Sequence, residues 1–461
     1  MTTTCGALLL VLASAAPPSA PSVPSSTAEP SVPSSTAEPS VPSSTAEPSV
    51  LSSTAPLDSG FRLRLHGFVQ VDGVLFHGSS LDEVDAGSGL PLNETRLLVR
   101  RGRLRAEVDD DLPGLRVGAV LELEGNTVAS PVLLLQKAFL DASLPTTPGV
   151  PPLLRARVGL MKIPYGGELL DEPAERLFAE QALVSRALFP GEHDLGVRLD
   201  GAWTFLRASL AAMNGQPTGA LAFPTLDPNA AKDVVGRVGV DTDVDIGGAV
   251  GAAVHVPLHV RAGVSGLAGS GFHVGQRPTK DSLVWRDQNE DGVAQATELT
   301  VIPAEPGEPS SSFARSALGA DARLVTAVPA LGALLVEGEL TLAVNLDRGF
   351  AVADPVATGR DQRALGWRVL VTQELSPWLV VGVRYDEYNP DLDALDERAG
   401  RVLATDATVA TWSVAAALRL PAPARLLVEY AHEDNALGRT AAGVPTSLPA
   451  DRLLARAEVV F

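Results

Sequence analysis

Residues 452–461 read Arg-Leu-Leu-Ala-Arg-Ala-Glu-Val-Val-Phe, and the order of these ten side chains carries the fold. Leu453, Ala455, Ala457, Val459 and Phe461 alternate with Arg452, Leu454, Arg456, Glu458 and Val460. Successive side chains of a strand point to opposite faces, so this segment has an apolar face and a largely charged one. The same period recurs upstream. In 97–108, Leu97, Val99, Arg101, Arg103, Arg105 and Glu107 are expected on one face, with Leu98, Arg100, Gly102, Leu104, Ala106 and Val108 on the other. In 115–124, Leu115, Val117, Ala119, Leu121 and Leu123 oppose Arg116, Gly118, Val120, Glu122 and Glu124. Val336, Leu340, Leu342 and Val344 oppose Glu337, Glu339 and Thr341; Leu426, Val428 and Tyr430 oppose Arg425, Glu429 and Glu433.

A soluble sandwich alternates too, with its apolar face in the core. Two features select a membrane barrel instead. The strands are separated alternately by short turns and by long polar loops, at 164–192, 215–231, 271–312 and 387–406, the asymmetry of outer-membrane barrels. The final strand, an edge hazard if left unpaired, is made safe by closing on the first strand. Its C-terminal Phe461 resembles the signal by which bacterial barrels are assembled, which makes the barrel-assembly machinery an expected partner. The expectation is an all-β, closed antiparallel transmembrane β-barrel over 57–461, of about 16 strands, in contact with outer-membrane lipid in a Gram-negative bacterium.

Composition removes the main competitors. No apolar run reaches the ~18 residues of a spanning helix. The net charge of −19 argues against nucleic acid, whose phosphates need a basic face. Gly6 to Ser14 is a short apolar run and Ala13-Ser14-Ala15 fits a cleavage site, so 1–15 reads as a signal peptide despite an amino-terminal region without Lys or Arg. Cys5, the single cysteine, leaves with it, and the mature chain then has no thiol chemistry. A lipoprotein reading through Cys5 is the weaker one, since no apolar segment precedes it. Residues 21–29, 30–38 and 39–47 are three copies of Pro-Ser-Val-Pro-Ser-Ser-Thr-Ala-Glu, so 16–56 reads as a disordered Pro/Ser/Thr linker. A spacer is the plainer reading of it, a peptidoglycan or partner role the other. Aromatics are only 5%, so a full girdle is not expected; Trp203, Trp285, Trp367, Trp378 and Trp412 are candidates for girdle or core.

An ordered set of motifs adds a resemblance. Gly67-Phe68-Val69-Gln70-Val71-Asp72 and Arg100-Arg101-Gly102-Arg103-Leu104 are followed by Leu140-Asp141-Ala142-Ser143-Leu144. Then come Arg157-Val158-Gly159-Leu160-Met161-Lys162-Ile163-Pro164-Tyr165-Gly166-Gly167-Glu168, Pro190-Gly191-Glu192-His193-Asp194-Leu195-Gly196-Val197, Asn214-Gly215 and Arg384-Tyr385-Asp386. Over 61–461 the chain resembles the phosphate-selective porin O and P family. The resemblance implies a 16-stranded, trimeric outer-membrane channel whose loop after Lys162 folds inward as a constriction. That loop has helical character of its own, with Leu169, Leu170, Ala174, Leu177, Phe178 and Leu183 near helical spacing.

The family's phosphate-selective members line their path with cations. Here the expected wall cations Arg101, Arg103, Arg105, Arg155 and Arg157 are matched by carboxylates such as Glu107, Glu122 and Glu124, and cross-strand pairing is the plain reading of both. The constriction candidate carries Glu168, Asp171, Glu172, Glu175, Glu180 and Glu192 against Arg176 and Arg186. The only lysines are Lys137, Lys162, Lys232 and Lys280. The sequence thus departs from the phosphate pattern, and a general or mildly cation-preferring pore for small solutes or ions is expected.

Residues 287–298 fit the D-x-[DN]-x-[DN]-G-x5-E calcium loop: Asp287, Asn289, Asp291, the Val293 carbonyl, Gln295 and Glu298 would ligate, with Gly292 at the turn. A solvated acidic turn is the bland alternative. No HExxH or G-x-S-x-G motif occurs, and His255 and His259 read as structural. The chain reads as no enzyme, although spacing leaves room for a hydrolytic site on the rim. A structural or adhesive barrel without conduction is the other class kept.

Overall fold

The computed structural model describes residues 55–56, 62–77, 95–128, 131–147, 150–245, 257–398, 400–437 and 448–461. The readings of 1–15, of the repeats and of His255 lie outside these residues. Sixteen strands follow in chain order: β1 (Arg62–His77), β2 (Arg96–Leu112), β3 (Leu115–Asn126), β4 (Val132–Ser143), β5 (Leu154–Lys162), β6 (His193–Trp203), β7 (Leu206–Met213), β8 (Asp233–Asp245), β9 (Pro257–His273), β10 (Ser311–Ala327), β11 (Ala333–Val344), β12 (Arg363–Ser376), β13 (Leu379–Asn389), β14 (Val409–Arg419), β15 (Ala424–Asn435) and β16 (Leu448–Val460). Each is antiparallel to the next, and β16 pairs with β1 from Phe68↔Val460 to His77↔Asp451. The barrel is therefore closed and has no free edge. Ala55 and Pro56 pair with Leu63 and Arg62 at the start of β1.

The burial is inverted relative to a soluble protein. Val428, Val414, Leu453 and Val459 are exposed on the outer face, while Gln70, Asp72, Glu429, Arg456 and Glu458 are buried on the inner one. That is the arrangement for a wall with hydrocarbon outside. Connections are short at one end, as at 113–114 and 204–205, and long at the other, as at 163–192, 214–232, 274–310 and 390–408. The loop expected at 271–312 is shortened by β9 and β10 and contains a hairpin of Ser282–Trp285 with Leu299–Ile302. A second hairpin, Leu395–Arg398 with Arg401–Ala404, lies in the loop after β13.

The face assignment in 97–108 needs one correction. Gln70 pairs with Arg101 and Val71 with Val99, so Arg100 is a bulge. A bulge adds one residue and switches the alternation. Leu97 is consequently on the outer face and Leu98 on the inner one, while both Arg100 and Arg101 reach inward, to Asp72 and Glu180. A similar shift between Glu122 and Leu123 turns the consecutive Gln136 and Lys137 into buried positions.

None of the five tryptophans is in the core. Trp367, Tyr385 and Trp412 stack across β12, β13 and β14 with centroids 5.0 and 4.6 Å apart, a partial aromatic belt. Trp285 is instead in the loop hairpin.

Candidate functional site

The charged inner wall and the segment 163–192 form one structure. Ile163 and Tyr165 are buried where the chain leaves β5, and Gly166 turns it with φ +62°, a conformation that favours glycine. A Cβ there would also lie against the Glu339 carboxylate. A short 3-10 turn, Glu168–Leu170, and helix α1, Leu183–Leu188, follow before β6. Leu169, Leu183, Leu188 and Phe189 pack with Met213, Val235, Leu267 and Tyr388 of the wall. Phe178 and Ala179 pack with Val74, Leu98, Leu427 and Leu454. Each large apolar side chain so buried stabilises by roughly 1.5–3 kcal/mol.

Wall groups then grip the backbone of the segment. Glu339 on β11 accepts the Gly167 and Glu168 N–H groups, both at 3.1 Å. Glu429 on β15 accepts the Ala179 N–H at 2.6 Å, and Asp386 on β13 the Leu183 N–H at 3.2 Å. In the opposite sense Arg384 donates to the Glu180 carbonyl at 2.6 Å, Arg425 to that of Arg176 at 3.0 Å and Arg456 to that of Ala179 at 3.0 Å. Lys162 donates to the Asp171 carbonyl at 2.6 Å.

The expected constriction carboxylates are mostly paired. Glu168 accepts from Ser185 Oγ at 2.6 Å and the Ala182 N–H at 3.1 Å, and lies 3.4 Å from Arg368. Asp171 pairs with Arg323 at 3.1 Å and lies 3.9 Å from Arg261. Glu172 meets Lys137 at 2.8 Å and Lys162 at 3.6 Å. Glu180 meets Arg101 at 2.9 Å, Arg100 at 3.4 Å and Arg456 at 3.5 Å. Burial alone would raise the Glu180 carboxyl, but Arg101 and Arg100 outweigh it and hold it well below the usual carboxylate range. Arg176 binds Glu192 at 3.1 Å. Arg186 is exposed and, among the described residues, donates only to the Gln181 carbonyl, at 3.2 Å. Glu175 is exposed and, among the described residues, has no ionic partner.

The wall cations pair as well. Arg103 donates to Glu124 at 2.6 Å and Glu122 at 3.3 Å, and stands over the Phe68 ring. Arg105 lies between Glu107, Glu122 and Glu172. Arg155 holds Asp141 at 2.8 Å, whereas Arg157 lies 3.7 Å from Asp200 and over Phe139. Arg155, Arg157, Arg198, Arg207, Arg237 and Arg261 line a cavity of about 300 Å³ with Asp200 and Asp241 beside Leu170. Arg368, fully buried between Glu168, Glu337 and Glu339, had no place in the sequence reading. Its signal is there, in the alternation of Leu365, Trp367 and Val369 with Gly366 and Arg368.

The calcium-like residues gather at the tip of the first loop hairpin. Asp287 accepts the Asp291 and Gly292 N–H groups at 3.2 and 2.8 Å, and Asn289 Oδ1 the Asp291 N–H at 3.0 Å. Asp291 accepts the Val293 N–H and the Gln295 amide, both at 2.7 Å. Glu298 accepts the Trp285 indole at 3.0 Å and the N–H groups of Gln288 and Gln295. The indole bond, foremost, holds the Glu298 carboxyl below its usual range. Gly292 has φ +70°, as the motif requires. The carboxylates are thus occupied by backbone donors, and among the described residues no three His, Cys, Asp or Glu side chains converge in a metal-holding group. His259 lies beside Asp243, at 2.9 Å.

No family model matches this chain, and no curated protein does. Solved structures do. The outer membrane channel DcaP of Acinetobacter baumannii is similar with a TM-score of 0.53 and 14% identity, over 88% of this chain and 99% of that one. An anion-selective porin from Comamonas acidovorans is similar with a TM-score of 0.52 and 12% identity, over 87% of this chain and 100% of that one. The trimer form of OmpT, an outer membrane protein of Vibrio cholerae, has a TM-score of 0.50 and 11% identity, over 87% and 100%. At these identities the likeness is one of fold, and the fold is that of the outer-membrane porins.

Proposed function

We propose that this protein is a porin in the outer membrane of a Gram-negative bacterium, a channel for passive diffusion of small hydrophilic solutes or ions. The observation that carries the reading is the closed sixteen-stranded barrel with an apolar outside and a charged inside. Barrels of this size leave an aqueous channel when no plug fills them, and the segment 163–192 is the constriction. The extensive pairing of both signs argues for a general or mildly cation-preferring pore. Phosphate selectivity, as in the phosphate-selective porin O and P family, is not carried over. A homotrimer is supported by the fold shared with a trimeric protein, and assembly through β16 by the barrel machinery fits its pairing with β1. Planar-bilayer recording in a KCl gradient tests the reading. Stepwise conductance with a small cation-sided reversal potential is expected; strong anion preference would sink the selectivity, and no conductance from folded protein the channel.

The second reading, a structural or adhesive barrel without conduction, is favoured by the close burial of the inner wall around the loop. The same recordings separate the two. For the loop 287–298 we propose calcium binding, on the fit of its twelve residues to the ligand pattern. Titration calorimetry of the whole protein should give calcium heats that Asp291→Ala abolishes; equal heats from both would end this reading.

A further inference from the structure

The cavity beside Leu170 is lined by arginines that are not alike. Pro151 and Pro152 of the short β4–β5 connection line it too, which puts it on the short-turn side of the segment 163–192. Gly239 on β8 lines it where a side chain would stand between Arg237 and Asp241. Its partner Gly263 on β9 makes room for Arg237, whose guanidinium crosses that glycine to reach Asp321. Arg198 is bound by Asp200 at 2.7 Å and Arg155 by Asp141 at 2.8 Å. Arg207 donates to the Thr204 and Leu206 carbonyls. Arg157 and Arg261 differ. Their nearest carboxylates are Asp200 at 3.7 Å and Asp171 at 3.9 Å, and among the described residues neither guanidinium donates a hydrogen bond. Both remain partly exposed, at 20% and 29%. One acceptor is unused as well. Asp241, directly opposite Arg261 in the ladder, lies 3.5 Å from Arg207 and 3.4 Å from His259. Among the described residues its carboxylate accepts no hydrogen bond.

We infer that this cavity is a resting site for a solute that carries a carboxylate and hydroxyl groups together. The inference rests on the porin reading and names a class of solute for it. A guanidinium presents N–H donors in a fixed fork that matches a carboxylate, and Arg157 and Arg261 have forks to spare. Asp241 has an acceptor to spare, which a hydroxyl satisfies. A carboxylate without hydroxyls meets the Asp241 charge with no donor to offer it. A neutral sugar leaves both guanidiniums unanswered. The volume of about 300 Å³ is at the lower end of ligand pockets, a size for a small acid. Six arginines against Asp200 and Asp241 make this wall locally basic. The segment itself presents Glu172 and Glu175 to water, so a site for such an acid on one wall coexists with a path that is not anion-selective as a whole. The hold must also be weak enough for the solute to leave.

Titration calorimetry of the full-length protein in detergent tests this, with gluconate, acetate and inorganic phosphate as probes and bilayer recording beside it. Gluconate is expected to bind about tenfold or more tightly than acetate, which leaves Asp241 unpaired, and than phosphate, which crowds its charge against Asp241. Arg157→Gln and Arg261→Gln should each weaken gluconate about tenfold, the worth of a charge-assisted hydrogen bond. Asp241→Ala should remove the preference for gluconate over acetate. Heat-modifiable gel mobility confirms that each variant has folded. Gluconate bound no better than acetate or phosphate, or equally well by the wild type and both arginine variants, overturns the proposal, and a conducting channel then leaves the porin reading intact. Gluconate binding by a folded barrel that never conducts overturns the porin reading, and with it the cavity as a station for solutes.

Discussion

Glu175 differs from the other carboxylates of its segment in forming no ion pair among the described residues, Lys162 acting on it only from a distance. Partial desolvation of this otherwise exposed side chain by its surroundings comes first, and with the charges of Asp171 and Glu172 it raises the carboxyl above the ordinary range. A raised carboxyl disfavours its own ionised form in the folded protein. The cost exists above its folded pKa and is relieved as the pH falls through it. Glu175 therefore takes up its proton at a higher pH than a free glutamate, whose pKa is about 4.3. If the open channel passes this side chain, its cation preference weakens on acidification before the ordinary carboxylate range is reached. Reversal potentials recorded in a KCl gradient at successive pH values check this. Glu175→Gln should abolish that first step and leave the later ones. Glu180, held low by Arg101 and Arg100, contributes nothing to titration in that window.

The strands behave as their alternation says, and that makes the lipid-facing positions predictable. Val428 on β15 is half exposed outside, and its neighbour Glu429 is fully buried inside. Placing an arginine at mid-membrane on the outer face of a barrel costs about 2–4 kcal/mol. Val428→Arg should accordingly lower the free energy of folding into vesicles, read from the denaturant midpoint and slope, by that amount, while an arginine at a loop position such as Val293 should not. The barrel class was legible because period 2 is imposed locally, by the pleat and by what lies on each side of it, as in Leu453 to Phe461. What escaped the sequence has a different origin. The bulge at Arg100 is set by pairing with β1, so the simple alternation put Leu97 on the wrong face. The acidity of 163–192 was plain, but its neutralisation was not. Lys137, Arg101, Arg323 and Arg368 come from four strands scattered along the chain and meet the loop only after closure. The twelve residues at 287–298 could be read as a calcium pattern, whereas the use of their carboxylates on backbone N–H groups is a matter of geometry.

Closure ties these parts together, and its last link is small. Phe461 donates its N–H to the Gly67 carbonyl at 2.9 Å and accepts the Gly67 N–H at 2.8 Å. A Cβ at Gly67 would fall 2.2 Å from the Arg103 carbonyl and 2.9 Å from the Phe461 ring, so this position needs glycine to let the last residue and the second strand approach together. The ring has no other way to satisfy the edges of β1 and β16, and an open edge in hydrocarbon leaves backbone groups unpaired at several kcal/mol each. The segment 163–192 depends on the same seam, since Asp72 on β1 pairs with Arg456 on β16, and Arg456 in turn holds Ala179 and Glu180. Gly67→Val, or removal of Phe461, should therefore weaken closure and loosen that segment together. Heat-modifiable mobility should be lost at a lower temperature than in the wild type. An unchanged melting of the folded band in both variants would show that the seam between Gly67 and Phe461 carries no part of the barrel's stability.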